Sequence, residues 1–168
     1  MKTIKLRKGK DESLQRRHPW VFSGAIQRLP EGLEEGDLVR VENFEGENIG
    51  IGHWQVGSIA VRMLAFGVES MPDNFFVERL RDAWKLRQAL GLIRTDNNSF
   101  RLIHGEGDFI PGLIVDVYAD TAVMQAHSPG IHFMRRQIAG SLTEIPGLPI
   151  KNVYYKSETT LPYKAQLD

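Results

Sequence analysis

Around Ser70-Met71-Pro72 the hydrophobic pattern changes period, from alternation to helical spacing, and this switch restricts the chain to two differently built parts. Before it, residues 3–8 (TIKLRK) read as a short strand. Asp11 is placed to N-cap a short helix that His18-Pro19 must end, because the residue before proline avoids the helical region. Trp20-Val21-Phe22 is apolar throughout and predicts a strand buried on both faces, with Trp20 in the core. In Asp37–Glu42, Val39 and Val41 alternate with Arg40 and Glu42. Ile49, Ile51 and His53 alternate with Gly50, Gly52 and Trp54, and in Ser58–Phe66 the residues Ile59, Val61 and Met63 oppose Arg62 and Leu64. Asn43-Phe44-Glu45-Gly46 has hairpin turn chemistry. Many short strands with glycine-rich bends predict a small β-barrel over residues 1–70, an architecture that closes its own edges.

After the switch, Asp73 or Asn74 caps a helix carrying Phe76, Leu80, Ala83, Trp84, Arg87 and Leu90, which Gly91 stops. Residues 99–104 and 112–118 read as strands around the turn Gly105-Glu106-Gly107-Asp108, and 121–127 as a third strand. Ile131, Met134, Ile138, Leu142 and Ile145 have helical spacing until Pro146 and Pro149 end it, and Ile150–Lys156 predicts a last strand. Residues 71–168 are thus expected to be an α+β unit with a hairpin and two helices, and the chain as a whole mixed α/β (α+β). Glu158–Asp168 lacks strong periodicity and reads as a linker.

The sequence holds no cysteine, which excludes disulfides, zinc-thiolate sites and a thiolate nucleophile. His18, His53, His104, His127 and His132 show no ligand-like spacing and read as surface or loop histidines, with no metal site expected. No apolar run approaches the ~20 residues needed to cross a bilayer, and MKTIKLRKGK lacks the apolar core of a secretory signal, so a cytoplasmic location is expected. Net charge is zero but unevenly spread. Residues 1–28 hold Lys2, Lys5, Arg7, Lys8, Lys10, Arg16, Arg17 and Arg28, whereas residues 31–47 are acidic. Such a stripe either meets a polyanion or pairs with the acidic stretch, and composition leaves both open. Gly105, Gly107 and Gly112 do not make a dinucleotide loop, because the turn runs into a strand and carries two acids. Glu106, Asp108 and Asp116 have no accompanying base or nucleophile and read as turn residues satisfying backbone amides.

The stretch L-R-K-G-K-D-E-S-L-Q-R-R-H-P-W-V-F-S-G-A-I, residues 6–26, resembles the opening of bacterial class I methyltransferases that modify cytosine in 23S ribosomal RNA. Ser58-Ile59 with Val61-Arg62, then Glu69, Phe75-Phe76 and Arg79-Leu80, are similar to the next segments of that family. Arg101-Leu102-Ile103-His104-Gly105-Glu106-Gly107-Asp108 with Pro111-Gly112-Leu113-Ile114-Val115-Asp116 resembles the signature of its central domain. There are departures. Val117 stands where the family often has arginine, and Phe109-Ile110 where it usually has Gly-Leu.

The resemblance implies that the barrel is a PUA domain, a small RNA-binding module, and that ribosomal RNA, expected to be 23S, is the partner. It also implies S-adenosylmethionine as the cofactor of the intact protein, used in a C-terminal Rossmann-like domain that also supplies a catalytic cysteine. Attack on C6 of cytosine needs that thiolate, and this chain has none. The chain is therefore expected to be the front part of such a methyltransferase, inactive alone, with no catalytic, cofactor or metal residues of its own. Lys8, Lys10, Arg16, Arg17 and Arg62 are the expected RNA contacts, positioning phosphate rather than reading bases. The rival reading is a non-catalytic PUA-type interaction module. A homodimer is compatible with the sequence.

Overall fold

Strand alternation in the first part of the chain builds one curled six-stranded sheet. Its strands are β1 (Lys2–Leu6), β2 (Trp20–Phe22), β3 (Ile26–Arg28), β4 (Leu38–Glu42), β5 (Asn48–Trp54) and β6 (Ile59–Phe66), and the short helix α1 (Glu12–Gln15) lies between β1 and β2. The order is β2-β6-β5-β4-β1-β3. β1 runs parallel to β4 and every other pair is antiparallel. The outermost strands, β2 and β3, are consecutive in the chain and joined only by the tight turn Ser23–Ala25. The sheet must therefore roll until its edges come together. Ser23 N donates to Ser58 O at 2.9 Å beside β6, and Arg7 N donates to Ala25 O at 2.9 Å beyond β1, so the turn is tied to both edges. Closure is by chain continuity rather than by an unbroken ladder.

Ile4, Leu6, Leu14, Val21, Val39, Val41, Val61 and Met63 fill the interior. Two glycines of β5 allow β6 to approach closely. A Cβ on Gly52 would lie 2.5 Å from Arg62 O and 2.6 Å from Val61 Cγ1, and one on Gly50 would lie 2.1 Å from Ala65 O.

The computed structural model describes residues 1–162, which divide into two units, Met1–Pro72 and Asp73–Pro162. The second unit carries α2 (Phe75–Ala89), β7 (Ser99–His104), β8 (Leu113–Tyr118), β9 (Thr121–Ala126), α3 (Pro129–Phe133), α4 (Arg135–Thr143) and β10 (Asn152–Tyr155). Its sheet has the order β10-β9-β8-β7, an antiparallel meander to which β10 adds in parallel after the two short helices. Helix α2 packs on α4 and β7, with Trp84 stacked 5.8 Å from Phe100. Helix α3 starts at Ser128, whose Oγ accepts from Ile131 N, with Pro129 in the first turn where its missing N–H costs nothing.

Five expectations need correction. Of Trp20-Val21-Phe22 only Val21 is buried, because β2 is an edge strand paired with β6 alone; Trp20 is half-buried and Phe22 is 48% exposed. Leu90 is exposed at the C-cap of α2, one residue beyond the helix. The second unit has three helices rather than two. The segment read as one helix from Ile131 breaks at Met134, where Arg135 Nη1 donates to the His132 carbonyl at 2.8 Å. His53 and His132 are buried, on β5 and α3, rather than lying at the surface. Asp116 lies on β8 rather than in a turn. Of the segment read as a linker, Thr160 is tied to the Ala126 carbonyl of β9 at 2.6 Å, and 163–168 lie outside the described residues.

Candidate nucleic-acid interface

Four of the expected contacts sit on one short stretch of backbone. After β1 the chain makes a tight turn closed by Lys10 N donating to Arg7 O at 3.1 Å, with Gly9 at φ 69° where a side chain would strain. Lys8 and Lys10 project from this turn, both exposed. Helix α1 follows, with Asp11 at its N-cap position; the Asp11 carboxylate accepts from Gln15 Nε2 at 2.8 Å rather than capping the backbone. Only Leu14 of α1 is buried, so the helix lies on the barrel by one side chain and presents Arg16 to solvent.

The end of α1 is a Schellman motif. His18 N donates to Ser13 O at 3.0 Å and Arg17 N to Leu14 O at 2.8 Å. The left-handed residue that this motif requires is Arg17, at φ 64°, where glycine is usual. Its guanidinium sits 5.1 Å from the centre of the Phe66 ring, so a strained backbone directs a stacked but exposed cation outward.

Beside α1 is a hollow of about 420 Å³ lined by Lys10, Ser13, Arg16, Phe22, Gly9, Gly24 and Ala25, with one acid, Glu12, among them. Phe22 forms its aromatic wall. On β2, residues two apart share a face, and opposite the buried Val21 runs an aromatic row. His18 and Trp20 meet edge to face at 5.3 Å, and Trp20 and Phe22 at 6.2 Å. Cations beside exposed rings suit single-stranded RNA, which is held by phosphate neutralisation and base stacking. Phe22 was the residue missed in the sequence, where its apolar neighbours disguised an edge position. Arg62 lies half-buried on β6, opposite Trp20 on one side and His53 on the other.

The charge stripe divides in two. Lys2 pairs with Asp37 at 2.8 Å and also donates to the Gly32 carbonyl, which binds it to the acidic stretch and holds the Asp37 carboxyl below the usual carboxylate range. Arg7 Nε donates to Ile26 O at 3.0 Å. Among the described residues, Lys8, Lys10, Arg16 and Arg17 make no ion pair, and all four are exposed. His53 is fully buried, and neither ring nitrogen has a hydrogen-bond partner among the described residues. Burial first, and the neighbouring Arg62 charge second, push its pKa down to about 3.

Asp108 and Asp116 of the second unit are engaged in structure. Asp108 accepts two bonds from Arg87 at 2.5 and 2.7 Å and one from His104 N at 2.6 Å, all with little solvent. Asp116 accepts two bonds from Arg101 at 2.8 and 3.0 Å. The Gly105–Asp108 turn leads to β8 and not to a helix, so it lacks the strand-turn-helix form that receives a nucleotide phosphate. Among the described residues no group of three or more histidines or acids is arranged to hold a metal, and no helix is long and apolar enough to cross a membrane.

Comparison with known proteins places residues 4–66 in a PUA-like domain family. The chain is 35% identical over 165 residues to ribosomal RNA large subunit methyltransferase I of Erwinia tasmaniensis, covering 97% of this chain and 41% of that protein. It is 36% identical to the protein of the same name from Alteromonas mediterranea, again covering 97% of this chain and 41% of the relative. This chain therefore spans about two fifths of the length of the curated relatives it matches. Among solved structures, a Streptococcus mutans protein assigned as a SAM-dependent methyltransferase shares the fold, with a TM-score of 0.79 at 14% identity over 94% of this chain and 41% of that one.

Proposed function

We propose, from the premise that residues 4–66 carry a PUA-like domain, that this chain is the RNA-binding and targeting part of an S-adenosylmethionine-dependent ribosomal RNA cytosine-5 methyltransferase. In this reading residues 1–70 grip RNA and residues 71–168 form a central unit beside the catalytic machinery. The observation that carries it is the exposed group Lys8, Lys10, Arg16 and Arg17, which make no ion pair among the described residues, with Lys10 and Arg16 lining a hollow walled by Phe22. The names of the relatives support large-subunit RNA, hence 23S, as the target, and methyl transfer as the activity of the intact protein.

The chain's own residues would bind and orient. Lys8 and Lys10, fixed by the turn at Gly9, and Arg16 and Arg17, fixed by the end of α1, would neutralise successive phosphates, setting register without reading sequence. Phe22 and Trp20 would stack on unpaired bases. Methyl transfer to C5 would need a cysteine thiolate, and with no cysteine in its sequence this chain alone would not perform it.

Gel-shift titration against large-subunit and small-subunit ribosomal RNA fragments tests the reading. Tighter binding to a large-subunit fragment is expected, with no methyl incorporation when S-adenosylmethionine is added. Indifference to both RNAs would overturn it in favour of a PUA-type interaction module without RNA.

A further inference from the structure

In the second unit two non-glycine residues, Phe109 and Ala119, hold a left-handed backbone, and of these Phe109 carries a large side chain. Phe109, at φ 59°, closes the turn Gly105–Asp108, with its N–H donating to Glu106 O at 3.2 Å and that of Ile110 to Gly105 O at 3.1 Å. Glycine takes this conformation without a Cβ clash, and phenylalanine does not. The residue is also 61% exposed, so burial does not repay the strain. A ring that is strained and left in water has a use outside the core.

Its surroundings define that use. Arg79, one turn along α2 from the buried Phe75, lies 5.6 Å from the Phe75 ring and 5.4 Å from the Phe109 ring. The guanidinium is thus backed on two aromatic faces and steadies the exposed ring. Beside them is a small hollow of about 130 Å³ lined by Arg79, Asp82, Ala83, Leu86, Gly107, Asp108 and Phe109. Asp108 is occupied by Arg87 and His104 N, which leaves Asp82 as the acid on the rim. An exposed carboxylate repels phosphate but accepts from the amino groups of bases.

We infer that Phe109 and Arg79 form a stacking platform for one unpaired nucleobase of the bound RNA, with Asp82 favouring bases that carry an exocyclic amino group. The inference rests on the RNA-binding reading and adds a contact in the second unit to the phosphate-gripping residues of the first. Stacking on an aromatic ring needs no sequence motif, only an accessible face, and Phe109 presents one.

Ultraviolet cross-linking of the full chain to single-stranded RNA, with peptide mapping, tests it beside an affinity titration. An adduct on Phe109 is expected, and in the titration cytosine-, adenine- or guanine-containing RNA should bind more tightly than uracil-only RNA. Phe109→Gly should remove the adduct and weaken binding by about tenfold, the scale of one lost stacked base, while folding normally because glycine suits φ 59°. Phe109→Tyr should retain both. If the chain binds RNA, and Phe109→Gly binds as tightly with no adduct near residue 109 in the parent, the platform is overturned while the RNA-binding reading stands. If neither protein binds RNA, both fall together.

Discussion

Replacing Arg17 separates its backbone from its side chain. At φ 64° any residue with a Cβ is strained by about 1–2 kcal/mol, which alanine keeps and glycine relieves. Glycine gives back roughly 0.4–1 kcal/mol through its freer unfolded state. Arg17→Gly should therefore be more stable than Arg17→Ala by about 0.5–1 kcal/mol. Both lose the stack on Phe66, worth about 0.5–1 kcal/mol at an exposed site. The expected order is thus Arg17→Ala below both the parent and Arg17→Gly, with the latter two nearly equal. RNA binding should not follow that order. Each variant removes one cation, so each should lower the slope of log affinity against log salt by about 0.7–0.9. Urea melts and filter binding on the same preparations measure both quantities. Equal stability of the glycine and alanine variants would refute the strain argument, and an unchanged slope would refute the phosphate contact.

Asp108→Ala should destabilise the second unit by about 3–5 kcal/mol in a urea melt, because it strands the buried Arg87; Arg87→Met with Asp108→Leu should recover most of that. Gly52→Ala should cost about 1–3 kcal/mol or more by forcing β6 away, read as a lower urea midpoint. Stability should also depend on His53. Its folded pKa, about 3, lies below the unfolded value of 6.5, so the unfolded state takes up the proton first and stability is lost as pH falls from 6.5 towards 3. Urea melts should show a loss of about 2 kcal/mol between pH 6.5 and 5, and His53→Leu should flatten that dependence.

The alternation of Val39 with Val41, and the helical spacing of Phe76, Leu80 and Trp84, were legible because each reports burial on one face of a local element. Phe22 was not, since a three-residue apolar run is the same whether its strand is central or at an edge, and only the β2–β6 pairing decides. The Arg87–Asp108 pair joins residues 21 apart across α2 and a turn, a relation that spacing does not encode. The left-handed backbones at Arg17 and Phe109 were hidden for another reason. Glycine announces such a position, whereas arginine and phenylalanine conceal it, and in both places the concealed residue points an exposed side chain outward. His53 read as surface because histidine usually is, although Gly50 and Gly52 beside it mark a strand pressed closely on its neighbour.

The most direct test is the salt dependence of RNA affinity for the parent chain and for Arg16→Ala with Arg17→Ala, measured by filter binding at several salt concentrations. Affinity of the parent should fall linearly on logarithmic axes, and the double variant should bind different RNA sequences more weakly by a similar factor, with a slope flatter by about 1.4–1.8 for two lost phosphate contacts. A folded double variant with the parent's slope and affinity would contradict the assignment of this face to RNA.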